Sequence, residues 1–303
     1  MTGIELAVWL CLWSAGRAPV PLIATYLALA GVALGIALGL RPLWRWGEPR
    51  ASWPVMLLGA VLVGLSSSLF MALKFAIPSL VPFWLDKPLA AAEAGIFGVE
   101  PYQLLDSLFG RANLLVDRVY ALWLPVQLVV MFSVIIAPPS RAKARALAAC
   151  SAAWFLLGVV AATLLSSAGP IFFDRVFGGD TFAPLHRILE TRHADVALST
   201  AEAMWSAYLS GHPGLVSGIS AAPSMHIAIS MWIFLVARDI APRAVPIAAA
   251  YLAFICIASV QLGWHYVTDG IAAVVGMAAI WWVAGRLFNR LHPHSRPDSA
   301  PVP

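Results

Sequence analysis

The stretch SMHIAISMWIFLVARDIAPRAVPIAAAYLAFICIASVQLGWHYVTDG, residues 224–270, carries a histidine near each end, and its two apolar runs meet in a short basic turn. The midpoint between His226 and His265 falls between Val245 and Pro246, beside Arg238-Asp239-Ile240-Ala241-Pro242-Arg243. A chain that descends from 224 to about 242 and returns to about 263 has limbs of roughly 19 residues, or about 29 Å at 1.5 Å per residue, enough to cross the hydrocarbon core of a bilayer. Both imidazoles then return to the same membrane surface. An ionisable side chain within a charge-free membrane segment is costly to keep there, which makes each histidine a candidate functional residue.

The rest of the chain fits that hairpin. Of its 303 residues, 61% are apolar and 11% charged, far from the roughly 25% charged residues of soluble domains. Segments free of Asp, Glu, Lys and Arg run over 18–40, 51–73, 119–140, 146–173, 203–237, 244–268 and 270–285. The pattern predicts an all-α polytopic membrane helix bundle of about seven transmembrane helices. Residues 6–14 are apolar but too few to cross, so an interfacial or buried N-terminal helix is expected there. Glu5 precedes that run and the first base is Arg17, unlike a secretory signal, so the chain is expected to be retained whole. Cys11, Cys150 and Cys256 lie in apolar stretches without pairing or C-x-x-C spacing and read as small core residues. The net charge of +4 comes from scattered bases rather than one basic face, which argues against a nucleic-acid partner.

Orientation follows from the bases. The connections 41–50, 141–145 and 238–243 and the tail carry eleven Lys and Arg against the acids Glu48, Asp239 and Asp298, leaving eight bases and twelve acids elsewhere. By the positive-inside rule the first set is cytoplasmic. The long loops 74–118 and 174–222 then face outward, and PFWLDKPL (82–89) and FFDRVFGGDTF (172–182) suit helices lying in the outer interface. The expected division is an N-terminal part over 1–50, a catalytic membrane domain with a six-helix core over 51–288, and a disordered cytoplasmic tail over 289–303.

The sequence also supplies what each histidine needs. Asp269 follows His265 by four residues, so on a helix its carboxylate shares that face and can accept the Nδ1 proton, leaving Nε2 nucleophilic. Ser224, after Pro223, stands at an expected helix N-terminus, where N–H groups and a hydroxyl can hold phosphate. The pair P-S-M-H (223–226) and H-Y-V-T-D (265–269) resembles the second and third signatures of the type-2 phosphatidic acid phosphatase superfamily. More narrowly, I-S-A-A-P-S-M-H (219–226), G-W-H-Y-V-T-D (263–269) and S-S-A-G-P (166–170) resemble its inositol phosphorylceramide synthase branch. The resemblance implies phosphoryl transfer through a phosphohistidine, with His265 as nucleophile, Asp269 orienting it and His226 as the acid and base.

Two departures stand out. Where the phosphatases carry Ser-Arg before the third-signature histidine, this chain has Ala258-Ser259, and the first signature, Lys followed after six residues by Arg-Pro, is absent. A monoester dianion needs more positive charge around it than a diester monoanion, so the loss favours a lipid phosphotransferase over a monoester phosphatase. Candidate replacement cations are Lys74, Lys87, Arg111, Arg118, Arg175, Arg187 and Arg192. Arg175 ranks first, because the Gly169-Pro170 turn can fold it inward; its alternative is an interfacial arginine paired with Asp174. Lys74, ending the second span at the outer level, ranks second. His212, in a Gly-His-Pro-Gly turn, reads as a loop residue.

The expected activity is transfer of a phosphoryl or substituted phosphoryl group from a phospholipid donor to a lipid acceptor such as a ceramide, with neither metal nor cofactor. Two alternatives are a lipid phosphate or polyprenyl pyrophosphate phosphatase using water, and a transporter or flippase with a proton relay. Sixteen arginines against three lysines with heavy alanine use suggest a bacterial cell inner membrane, with the site facing the periplasm.

Overall fold

The computed structural model describes residues 20–40, 51–213 and 216–291. The N-terminal segment 6–14, the basic connection 41–50 and the tail from His292 lie outside the described residues. No strand occurs among the described residues. Helices α1 (Val20–Leu40) and α2 (Trp53–Leu80) lead to the short helices α3 (Asp86–Phe97), α4 (Pro101–Phe109) and α5 (Asn113–Tyr120), which lie in the loop expected to face outward. Helix α6 (Trp123–Ile136) returns, and α7 (Arg141–Phe155) continues through a π-helical turn, Leu156–Ala161, to Leu164. The second outer excursion holds α8 (Phe173–Phe177), α9 (Ala183–Thr191) and α10 (Asp195–Ser210), followed by α11 (Met225–Ile240), α12 (Val245–Gln261) and α13 (Val267–Leu291).

Among the described residues, five helical stretches are long and apolar enough to cross a membrane: Ile23–Leu40, Trp53–Leu80, Arg141–Leu164, Pro242–Gln261 and Val267–Arg290. A sixth arises if Pro101–Tyr120 and Trp123–Ile136, bent by 45°, form one span. The protein is a multi-pass, all-α membrane bundle. Among the described residues the count is five or six rather than about seven, because the charge-free run 203–237 is not one helix. Helix α10 stops at Ser210 on the left-handed Gly211, and the chain stays irregular past Gly218 (φ +83°) and Pro223 before α11 starts. Glycine and proline break the run although no charge does. The 16 residues of α11 span about 24 Å. That helix is the bundle's centre, with Ala228, Ile229 and Trp232 fully buried and α7, α12 and α13 packed around it.

The basic connections 141–145 and 238–243 gather at one end. Arg145 of α7 pairs with Asp239 at 3.0 Å and donates to the Trp281 carbonyl at 3.1 and 3.0 Å, tying together α7, α11 and α13. Lys143 donates to the carbonyls of Ile135 and Ala137 at 2.6 and 2.7 Å, closing the C-terminus of α6. The other end holds the histidines and the outer helices.

Candidate active site

The two histidines are held by different means. His226 lies in the first turn of α11, which the Ser224 hydroxyl caps by accepting from the Ile227 N–H at 3.3 Å. Its ring stacks on Tyr120 (centroids 5.0 Å apart, 25°) and leans on Trp123 at 4.4 Å. Its carbonyl accepts from Trp123 Nε1 at 3.0 Å and from the Ser230 hydroxyl at 2.7 Å. His265 sits in the turn between α12 and α13. The N–H groups of Trp264 and His265 both donate to the Ser259 carbonyl, at 2.9 and 3.2 Å, and Gly263 adopts a φ of +73° that lets the chain reverse.

The His265 ring is fixed by hydrogen bonds. Its Nδ1 lies 2.9 Å from the Ala221 carbonyl, which can only accept, so Nδ1 carries the proton and Nε2 of the neutral ring keeps its lone pair. Nε2 in turn lies 3.3 Å from His226 Nδ1. The Asp269 carboxylate is 3.7 Å from His265 Nδ1 and accepts the Tyr266 N–H at 3.0 Å. The Ala221 carbonyl is thus the nearest partner of Nδ1, and the Asp269 carboxylate, four residues on as the spacing expected, lies next to it at 3.7 Å. The close approach of the two strands of chain needs Gly169, at φ +92°, where a Cβ would lie 2.6 Å from the Trp264 carbonyl oxygen.

Two further buried carboxylates, missed by the sequence reading, brace this turn from α3. Asp86 accepts from Ser167 Oγ at 2.9 Å and from the N–H groups of Ala168 and Gly169 at 2.8 and 2.7 Å, with the Tyr266 hydroxyl at 3.4 Å. Burial pushes its carboxyl above the usual range, against the pull of those donors. Glu93 accepts from both the N–H and the hydroxyl of Thr268, at 2.8 and 2.9 Å. The signal was available: acids seven residues apart share a helix face, and α3 is otherwise made largely of small residues.

Both histidines open on a cavity of about 890 Å³. Of the seven candidate cations, Lys74 alone lines it. Arg175 does not fold inward; its guanidinium pairs with Glu202 at 2.7 Å and lies over Trp205. Arg192 pairs with Asp106, and Lys87 lies over Phe177. Arg111, Arg118 and Arg187 are exposed. Ser224 is fully buried with its hydroxyl used as a cap and does not line the cavity. Ser259 is also fully buried, its hydroxyl donating to the Cys256 carbonyl at 3.1 Å. His212 stays in its turn, bonded to the Ser210 carbonyl. Gly218 is what lets the chain pass Lys74, as a Cβ there would meet the lysine's backbone and Cγ at 2.9 Å.

Residues 107–283 match the family model described as PAP2 superfamily, well over half of the chain. No curated protein and no solved structure matches the chain.

Proposed function

The chain belongs to the PAP2 superfamily, and from that premise we propose that it is a lipid phosphotransferase that moves a substituted phosphoryl group from a phospholipid donor to a lipid alcohol, a ceramide-like one first among the acceptors. Membership gives an enzyme of the lipid phosphatase and phosphotransferase type. The histidine chemistry rests on the His265–His226 contact of 3.3 Å, made while Nδ1 of His265 is committed to the Ala221 carbonyl.

In the proposed reaction His265 Nε2 attacks phosphorus and the bond from phosphorus to the lipid alkoxide breaks. His226 delivers a proton to that alkoxide, and the charge left on the His265 imidazolium is offset by Asp269 behind it. In the second half-reaction His226 takes the proton from the incoming hydroxyl, whose oxygen displaces His265. Lys74 attracts the phosphate oxygens. One cation beside the histidines, Lys74, suits a diester monoanion better than a monoester dianion, which supports the transferase reading over the phosphatase; Lys143, at the other end of the cavity, is bound by two carbonyls. A proton-relay transporter is less well supported, because 146–173, 227–237, 244–264 and 270–285 contain no Asp, Glu, Lys, Arg or His. The basic end of the bundle supports a cytoplasmic placement for that end and a periplasmic, inner-membrane setting for the site.

The test is product analysis with purified protein and a glycerophospholipid donor, with and without ceramide, together with trapping of an acid-labile phosphoenzyme. Transfer to ceramide is expected, and His265→Ala should abolish both product and phosphoenzyme. Release of the phosphoryl group to water alone would make the enzyme a phosphatase, and a phosphoenzyme that survives His265→Ala would overturn the nucleophile.

A further inference from the structure

We propose that the head group of the donor, the substituent that stays on phosphorus, carries a primary ammonium and that Asp117 recognises it, so that a phosphatidylethanolamine-type donor is preferred to one with an uncharged polyol head. This deepens the transfer reaction proposed above and rests on the reading of His265 and Lys74 as the phosphate end of the site.

Asp117 stands apart from the other buried carboxylates of the histidine end. Asp86, Glu93 and Asp269 do not line the cavity, whereas Asp117 does. It is only 2% exposed, and its two oxygens each accept one backbone N–H, Oδ2 from Val196 and Oδ1 from Ala197, both at 2.9 Å. It makes no ion pair among the described residues, and the neighbouring Arg118 is exposed. Two neutral donors at the start of α10 offset part of the buried negative charge, and each oxygen keeps a further lone pair. A carboxylate so placed lacks a cation, and the open side on which one can reach it is the cavity.

Its place is beside the phosphate end. On α5 Asp117 shares a face with Tyr120, three residues on, and the Tyr120 ring stacks on His226 with centroids 5.0 Å apart. The carboxylate therefore lies one helical turn beyond the ring that covers the imidazole, within reach of the short carbon arm of a head group. On α10 Val196, Ala197, Thr200 and Met204 present one face to the same space. The charged side chains that line the cavity at this end, apart from the histidines, are Lys74 and Asp117, of opposite sign. A head with phosphate at one end and ammonium at the other complements both. The walls favour the same choice. Tyr120, Phe172 and Trp264 offer aromatic rings to a cation, whereas the side chains of Ala121, Ala168, Ala197 and Val216 offer no partner to the several hydroxyls of a polyol. A primary ammonium also donates N–H bonds to the lone pairs that the backbone donors leave on Asp117.

Binding and turnover are measured separately. The full chain carrying His265→Ala, which holds a donor without turning it over, is titrated in detergent with dihexanoyl phosphatidylethanolamine and with dihexanoyl phosphatidylglycerol. The ethanolamine lipid should bind about ten-fold more tightly, the scale of one charge-assisted hydrogen bond. Adding Asp117→Asn should bring the ratio to about one by weakening that lipid alone. Because Asp117→Asn leaves a backbone N–H of α10 without its acceptor, melting temperatures are taken alongside. Thr200→Lys, which keeps Asp117 and sets a side-chain ammonium one turn along α10 from its donors, should also bring the ratio to about one and serves if the first variant does not fold. Equal binding of the two lipids, tighter binding of the glycerol lipid, or a ten-fold ratio that survives in folded Asp117→Asn would overturn recognition of an ammonium. The parent chain with each donor and ceramide then separates the two readings. Transfer that draws equally on both donors would keep the transferase and overturn the ammonium head. A ten-fold binding preference in a parent chain that forms no phosphoenzyme would support the head site and overturn only the transfer reaction.

Discussion

The two ends of the bundle use charge in opposite ways. At the basic end cations meet backbone carbonyls: Lys143 on Ile135 and Ala137, and Arg145 on Trp281 with Asp239 as its counter-ion. At the histidine end carboxylates meet backbone N–H groups: Asp86 on Ala168 and Gly169, Glu93 on Thr268, Asp269 on Tyr266, and Asp117 on Val196 and Ala197. Lys143 and the four carboxylates satisfy unpaired groups that helix ends and turns leave behind, while Arg145 adds a donor to a carbonyl inside α13. The difference has a chemical consequence. Outside the basic connections acids outnumber bases twelve to eight, a balance that would repel a phosphate if the carboxylates faced it. With these four directed at backbone donors, the charged side chain of that end that lines the cavity alongside the histidines, apart from Asp117, is Lys74.

The comparison breaks outright if the two ends are not on opposite sides of the membrane as assigned. In a background with the three native cysteines replaced by alanine, Thr181→Cys should be labelled by an impermeant thiol reagent applied from outside, and Arg243→Cys should be labelled only after the membrane is opened. Both positions are exposed in the structure, at the histidine end and at the basic end respectively. The reverse pattern would put the site in the cytoplasm and remove the periplasmic reading.

A narrower break concerns the cation. Lys74→Met should lower kcat/KM by about 10²–10³-fold, the range for removing one preorganised electrostatic donor. Arg175→Met removes an arginine held by Glu202 away from the cavity and should change kcat/KM by less than about three-fold. Equal effects, or a larger effect at Arg175, would return the phosphate to the site that sequence ranking favoured.

That ranking shows where sequence reading succeeds and fails. Helical hydropathy placed most of the spans, and matched depth put His226 and His265 at one surface, because both depend on distance along the chain. The outer helices were legible only as interfacial segments. Whether a side chain on them turns inward depends on packing between 82–89 and 166–170, which no local pattern records. Arg175 lost its place because Glu202, 27 residues on, holds it. The surroundings of His265 teach the same: spacing of four brought the Asp269 carboxylate within 3.7 Å of its Nδ1, while the nearer Ala221 carbonyl, 44 residues away in sequence, was beyond any local pattern. Lys74 was visible as a span terminus, and its place on the cavity follows from the close passage of Gly218 beside it.

The smallest expected effects sharpen the comparison, since they separate holding the bundle together from aiming the site. Arg145 lies 3.0 Å from Asp239, with side chains 24% and 19% exposed, and it also serves the Trp281 carbonyl. Arg145→Met should therefore cost about 1–3 kcal/mol of stability through the donors and acceptors it strands. Because those bonds lie at the far end from the histidines, the folded fraction should keep kcat within about two-fold of the parent. Glu93→Ala strands the Thr268 N–H and hydroxyl at the first turn of α13, the turn that also carries Asp269. A turn free to shift by a fraction of an ångström misplaces the charge behind His265, so kcat per folded molecule should fall about ten-fold with KM little changed. Glu93→Gln keeps an acceptor oxygen of the same reach and should recover most of that loss, which a purely structural role for Glu93 would not require. Circular-dichroism melts in detergent, paired with kcat and KM for each variant, make the measurement. If Arg145→Met lowers kcat as much as Glu93→Ala does, the two ends are coupled through α13 and the division of labour between them does not hold.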